Sequence, residues 1–116
     1  MPEPDLSILI VDDAKFSSAV VRRTLESGGY RDIRNETSAN EALKALDNRA
    51  ADIVIADWLM PEMDGLELTG RIRQLDESTN HYTYVVLLTG REGAHALQEA
   101  FEQGVADFIN KSVMNE

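Results

Sequence analysis

Asp12 and Asp13, Asp57, Thr89 and Lys111 lie in four segments far apart in the chain, and each closes a short apolar run. The runs are "LSILIV" before the acid pair, "DIVIA" before Asp57, "YVVLL" before Thr89 and "VADFIN" before Lys111. Three carboxylates, a hydroxyl and an ammonium suit the binding of Mg²⁺ and a phosphoryl group. Mg²⁺ is a hard ion, held by one or two carboxylates together with water and phosphate oxygens. A carboxylate can also act as the nucleophile toward phosphorus. The ammonium and hydroxyl would then take the remaining phosphoryl oxygens.

Ordinary structural roles compete with this reading. One aspartate of the pair can cap the helix that follows, Thr89 alone reads as a strand-end hydroxyl, and Lys111 as a solvated side chain. A cap does not explain two adjacent acids facing a third. Lysine is scarce, with only Lys15, Lys44 and Lys111, and the other two fall on helices. Asp57 is the hardest to explain away, because ending a buried strand in an unpaired carboxylate is costly.

The elements that must position these residues follow from the hydrophobic pattern. The runs at 6–11, 52–56 and 84–88 are short, β-branched and continuous, as in strands buried on both faces of a parallel sheet. A more polar run at 30–36 reads as an edge strand and 105–110 as a fifth strand. Between them lie four helical patterns. The first, about 14–27, presents Phe16, Ala19, Val20 and Arg23 on one side and stops at Gly28-Gly29. The second opens with the capping box Ser38 to Glu41 and carries Ala42, Leu43 and Leu46. The third, about 66–75, turns Leu68, Ile72 and Leu75 inward, and the fourth, about 94–103, turns Leu97 and Phe101 inward. Strict alternation of strand and helix predicts one α/β domain with a doubly wound, five-stranded parallel sheet. In such sheets ligands bind outside the carboxyl ends of the strands, where all the residues named above fall.

Composition limits the function. With 116 residues the chain fits one domain, and 21 acids against 11 lysines and arginines give a net charge of −10. That balance argues against nucleic acid as a ligand, since phosphate neutralisation needs a basic surface. There is no cysteine, so disulfides and thiolate metal sites are excluded. No signal-peptide or membrane-spanning pattern is present, which makes the cytoplasm the expected location. His81 and His95 read as isolated surface residues, and no glycine-rich phosphate loop occurs.

Taken together, "ILIVDD", "DWLMPEMDG", "VVLLTG" and "DFINKS" resemble the receiver domain of two-component response regulators, over nearly the whole chain. The resemblance implies the flavodoxin-like strand order 2-1-3-4-5. It implies that Asp57 is the phosphoacceptor, served by a sensor histidine kinase or phosphotransfer protein. It implies Mg²⁺ as cofactor, ligated by Asp13 directly, by Asp12 through water, by Asp57 and by the main-chain carbonyl of Leu59. Thr89 would be the switch hydroxyl, Lys111 the partner of the acceptor and then of the phosphoryl oxygens. Phe108 would turn inward as Thr89 moves, with a core aromatic as the plain alternative. Pro61 and Gly65 would shape the loop after the acceptor. The module would not itself be an enzyme.

Two departures from the family pattern stand out. Ser112 replaces the proline that usually follows the lysine. A non-proline cis bond costs about 2.5–4 kcal/mol, so a trans link and a shifted lysine are expected. A fifth helix is also missing, so the chain reads as cut short, with an output domain expected beyond it. The apolar face left uncovered predicts a homodimer or an exchange of elements. Two other functions compete: a receiver-like interaction module that takes no phosphate, and an aspartyl-phosphate phosphatase. The second is disfavoured because Leu59 stands where such enzymes place a general acid.

Overall fold

The computed structural model describes residues 5–90 and 93–111. Five strands and four helices alternate: β1 (Ser7–Val11), α1 (Lys15–Ser27), β2 (Asp32–Glu36), α2 (Ala39–Asn48), β3 (Ile53–Asp57), α3 (Gly65–Thr79), β4 (Tyr84–Thr89), α4 (Ala94–Glu102) and β5 (Asp107–Asn110). All strand pairs are parallel, and the order across the sheet is β2-β1-β3-β4-β5. The fold class and topology expected from the sequence are thus the ones observed. Four helices are present among the described residues, and none follows β5 there.

Alternation along each strand divides the apolar residues between two layers. Leu9, Val11, Val54, Ala56, Val85 and Leu87 face α2, α3 and α4, packing with Ala42, Leu46, Leu68, Ile72 and Ala100. Ile8, Ile10, Ile55, Val86 and Leu88 face the other way, packing with Val21 of α1 and Ile33 of β2. On that second face Tyr84 and Ile109 remain exposed.

Local chemistry explains most element ends. Ser38 caps α2 by accepting the Glu41 N–H at 3.1 Å, and Asp64 caps α3 by accepting the Glu67 N–H at 2.9 Å. Gly104, with φ of 103°, turns the chain from α4 toward β5. α3 is longer than its apolar stripe, ending at Asn80 in the left-handed region. The hydroxyls of Ser78 and Thr79 each donate to the Leu75 carbonyl in its last turn.

Four side-chain assignments differ from expectation. α1 buries Ser18 and Val21, whereas Phe16 is 78% exposed and Ala19 and Arg23 are also exposed. Ser18 can face inward because its hydroxyl is partnered by the Asn35 amide of β2. On α4 the inward position belongs to Ala100, and Phe101 is 53% exposed. Asp76 continues the buried stripe of Leu68 and Ile72 although it is an acid. It accepts hydrogen bonds from the Thr83 N–H at 2.9 Å, the Thr83 hydroxyl at 2.8 Å and Arg73 at 2.9 Å. His81 is half-buried rather than fully at the surface, its Nε2 lying 2.9 Å from the Ala51 carbonyl oxygen.

Candidate functional site

Strand register brings the polar strand ends to one rim. Val11 of β1 stands opposite Ala56 of β3, so Asp12 is level with Asp57. Asp57 stands opposite Leu88 of β4, which sets Thr89 one residue beyond it. Thr89 in turn pairs with Asn110 of β5, and Lys111 follows. Each of the four apolar runs is anchored in the sheet, so the polar residue that ends it has a fixed starting point.

The three carboxylates converge. One oxygen from each of Asp12, Asp13 and Asp57 lies within 4.8 Å of the others. Lys111 Nζ donates to Asp57 Oδ2 at 2.8 Å. The lysine therefore reaches the acid with Ser112 following it; the Lys111–Ser112 bond itself lies outside the described residues. Arg91, a flanking position in the sequence, also lies outside them.

Burial sorts the members of this site. Asp12 is 1% exposed, Asp57 and Thr89 are buried, and Asp13 is open to solvent. Asp12 does not cap α1; the cap position is Ala14, whose N–H donates to Asp12 Oδ1 at 2.9 Å. The other oxygen, Oδ2, is buried with no hydrogen-bond partner. Burial pushes the Asp12 carboxyl above the usual range. The Ala14 hydrogen bond and Lys111 oppose that shift, while the charges of Asp57 and Asp13 add to it. Burial alone would lower the Lys111 ammonium, but its hydrogen bond to Asp57 and the surrounding carboxylates hold it above its ordinary value.

An orphaned, buried carboxylate oxygen beside two further carboxylates fits a hard divalent cation. One ammonium offsets only part of the charge that the three acids bring. Leu59 turns its side chain outward, 70% exposed, in the loop after Asp57. That loop closes tightly: the Gly65 N–H donates to the Trp58 carbonyl at 2.7 Å. A Cβ on Gly65 would lie 2.7 Å from the Asp57 main-chain oxygen and 3.0 Å from Trp58 Cα. Only glycine allows α3 to start this close to the end of β3.

Phe108 is half-buried against the core and stacked on Trp58, with centroids 5.9 Å apart. Phe101 meets it in a T-shaped contact at 4.8 Å. Phe108 is singled out by the sequence but its stacking on Trp58 is not, because residues 50 positions apart carry no shared periodicity.

Comparison with known proteins agrees with this geometry. The family model for the response regulator receiver domain matches residues 8–116. The two-component response regulator ORR3 of Oryza sativa subsp. indica is 32% identical over 114 residues, covering 97% of this chain and 85% of that protein. Chemotaxis protein CheY1 of Helicobacter pylori (strain ATCC 700392 / 26695) is 31% identical, covering 91% of this chain and 85% of its own length. Among solved structures, the receiver domain of the histidine kinase CKI1 from Arabidopsis thaliana, complexed with Mg²⁺, superposes with a TM-score of 0.84 at 29% identity. That match covers 93% of this chain and 84% of the other. With the sheet order, the rim of acids and a family match over almost its full length, this chain belongs to the response regulator receiver domains of two-component, phosphorylation-based signalling.

Proposed function

We propose that Asp57 is the phosphoacceptor of a signalling switch, supplied by a phosphohistidine on a sensor kinase or phosphotransfer protein. The observation that carries this is the buried Asp57 carboxylate, 2.8 Å from Lys111 Nζ and clustered with Asp12 and Asp13. An Asp57 oxygen attacks phosphorus and the P–N bond to the donor's imidazole breaks. The electron pair of that bond returns to the ring nitrogen, and the imidazole takes up a proton. Lys111 orients the carboxylate beforehand and then binds a phosphoryl oxygen. Thr89, on the neighbouring strand, donates its hydroxyl to another.

Asp13, Asp57 and the Leu59 main-chain carbonyl would hold Mg²⁺ directly, and Asp12 through water. The ion would offset the negative charge that accumulates as the phosphoryl group approaches the acids. Support comes from the unpartnered Asp12 oxygen and from the Mg²⁺ complex of the similar receiver domain.

Thr89 and Phe108 relay the change to a partner, or to an output domain that follows in the full-length protein. The module itself is a phosphoacceptor and not an enzyme, and it works in the cytoplasm. Its charge of −10 makes nucleic acid no ligand of this domain. The exposed Tyr84 and Ile109 on the α1 face favour self-association of this chain; sedimentation as a clean monomer at high concentration would contradict that.

Trp58 is the only tryptophan and adjoins Asp57, so its emission tests the reading. It is expected to change with Mg²⁺ and again with a small acyl phosphate, the second change vanishing in Asp57→Asn. A mutant that responds like wild type would refute Asp57 as acceptor.

A further inference from the structure

Phe108 is the middle member of a row of three rings. It stacks on Trp58, at 5.9 Å and an interplanar angle of 18°. It also meets Phe101 in a T-shaped contact, at 4.8 Å and 84°. Both separations fall where aromatic pairs attract. Trp58 directly follows the acceptor, is buried, and is pinned at both ends of its main chain. Its N–H donates to the Leu88 carbonyl at 3.2 Å, and its carbonyl accepts from Gly65 at 2.7 Å. Phe101 sits at the far end of the row, on α4, and is 53% exposed. The rings therefore run without a break from the acceptor's neighbour to the solvent side of a helix.

Core packing does not account for Phe101. The inward positions of α4 are filled by fully buried Ala100 and half-buried Leu97. A phenylalanine next to Ala100 that leaves half its surface in water gains little from burial. What it gains is the edge-to-face contact with Phe108.

We infer that Phe101 is a positioning residue: its T-shaped contact holds Phe108 against Trp58 and couples that ring to α4. The coupling rests on the proposed role of Phe108 as the moving aromatic, and it runs beside the Thr89 route. Any displacement of Phe108 that follows phosphorylation breaks or reshapes the contact with Phe101, so α4 senses the acceptor. By linkage, a partner that presses on Phe101 biases the acceptor end to the same degree.

Acrylamide quenching of Trp58 in the metal-free protein tests the positioning. Phe101→Ala is expected to raise the quenching constant about twofold or more, because Phe108 is freed from its edge partner. Phe101→Tyr, which keeps the ring, and Gln98→Ala, an exposed control on the same helix, are expected to match wild type. If Phe101→Ala loses its helical circular dichroism, Phe101→Leu, apolar but ringless, is read in its place. Quenching that is unchanged without the ring, or equally raised in the tyrosine variant, overturns the positioning.

Acetyl phosphate with Mg²⁺ then tests the coupling. Phosphoryl uptake, read by intact mass, is expected to be kept in Phe101→Ala, while the accompanying change in Trp58 emission shrinks about two- to tenfold. Full uptake with a wild-type emission change overturns the coupling. Failure of wild type to take up phosphoryl would overturn the proposed function and the coupling with it, while the quenching result would still decide the positioning.

Discussion

Asp12 shows how a single residue can be unfavourable for the fold and apt for the site. Its carboxylate is almost wholly buried, one oxygen is unpartnered, and two like charges stand beside it. Its folded-state pKa is raised above the usual carboxylate value, first by burial. Folding therefore takes up a proton in the window just above the ordinary range. The stability of the metal-free chain falls as pH rises through that window and is recovered on acidification. Asp12→Asn keeps an oxygen for the Ala14 N–H and places an amide donor toward the remaining acids. It is expected to stabilise the metal-free protein by about 1–2 kcal/mol near neutral pH. The same variant is expected to lose most of the stabilisation that Mg²⁺ gives wild type. Thermal melts of both proteins, with and without Mg²⁺, read both effects; a variant less stable than wild type without metal would contradict them. The residue set itself was legible, because each member ends an apolar run. The partnerless oxygen was not, since it depends on which oxygen the Ala14 N–H occupies.

At the level of elements, the junction of β3 and α3 decides where Asp57 stands. Gly65 lets the first turn of α3 close on Trp58 and Asp57, with Leu87 Cδ2 also only 2.9 Å from where a Cβ would lie. Two of the three opposing atoms are main chain and cannot rotate away. Gly65→Ala is expected to cost about 1–3 kcal/mol of stability by overpacking. It is also expected to weaken Mg²⁺ binding, followed by Trp58 emission, because Asp57 must shift to make room. A variant with wild-type melting and titration would show that the junction is more yielding than this. Strands and most helix ends could be read in advance from β-branched runs, caps and glycine stops. Helix faces were harder. The apolar residues at 16, 19 and 20 suggested one face of α1, yet the buried side carries Ser18 because Asn35 satisfies its hydroxyl. Asp76 was hidden for the same reason: a buried acid is acceptable only once Thr83 and Arg73 are known to surround it. Pattern reading scores polarity residue by residue, whereas burial follows from partners distant in sequence.

For the molecule as a whole, the sheet order converts four separated segments into one acidic rim. Parallel pairing of β1, β3, β4 and β5 puts all their carboxyl ends on the same side, whatever lies between them in sequence. Away from that rim, Arg73 ties α3 to the opposite ends of the strands. It donates to the Gly104 carbonyl at 2.6 Å and the Thr83 carbonyl at 2.7 Å, and lies over the Tyr82 ring at 4.6 Å. The rim is thus carried by a frame braced at its other end, against which a local change at Asp57 can be transmitted. We propose that this frame presents Asp57 as a phosphoryl acceptor. Intact-mass and peptide analysis after incubation with Mg²⁺ and acetyl phosphate tests it most directly. A single phosphoryl group is expected on the peptide containing Asp57, absent in Asp57→Asn and strongly reduced when Mg²⁺ is chelated. A phosphoryl group found elsewhere, or retained in Asp57→Asn, would contradict it.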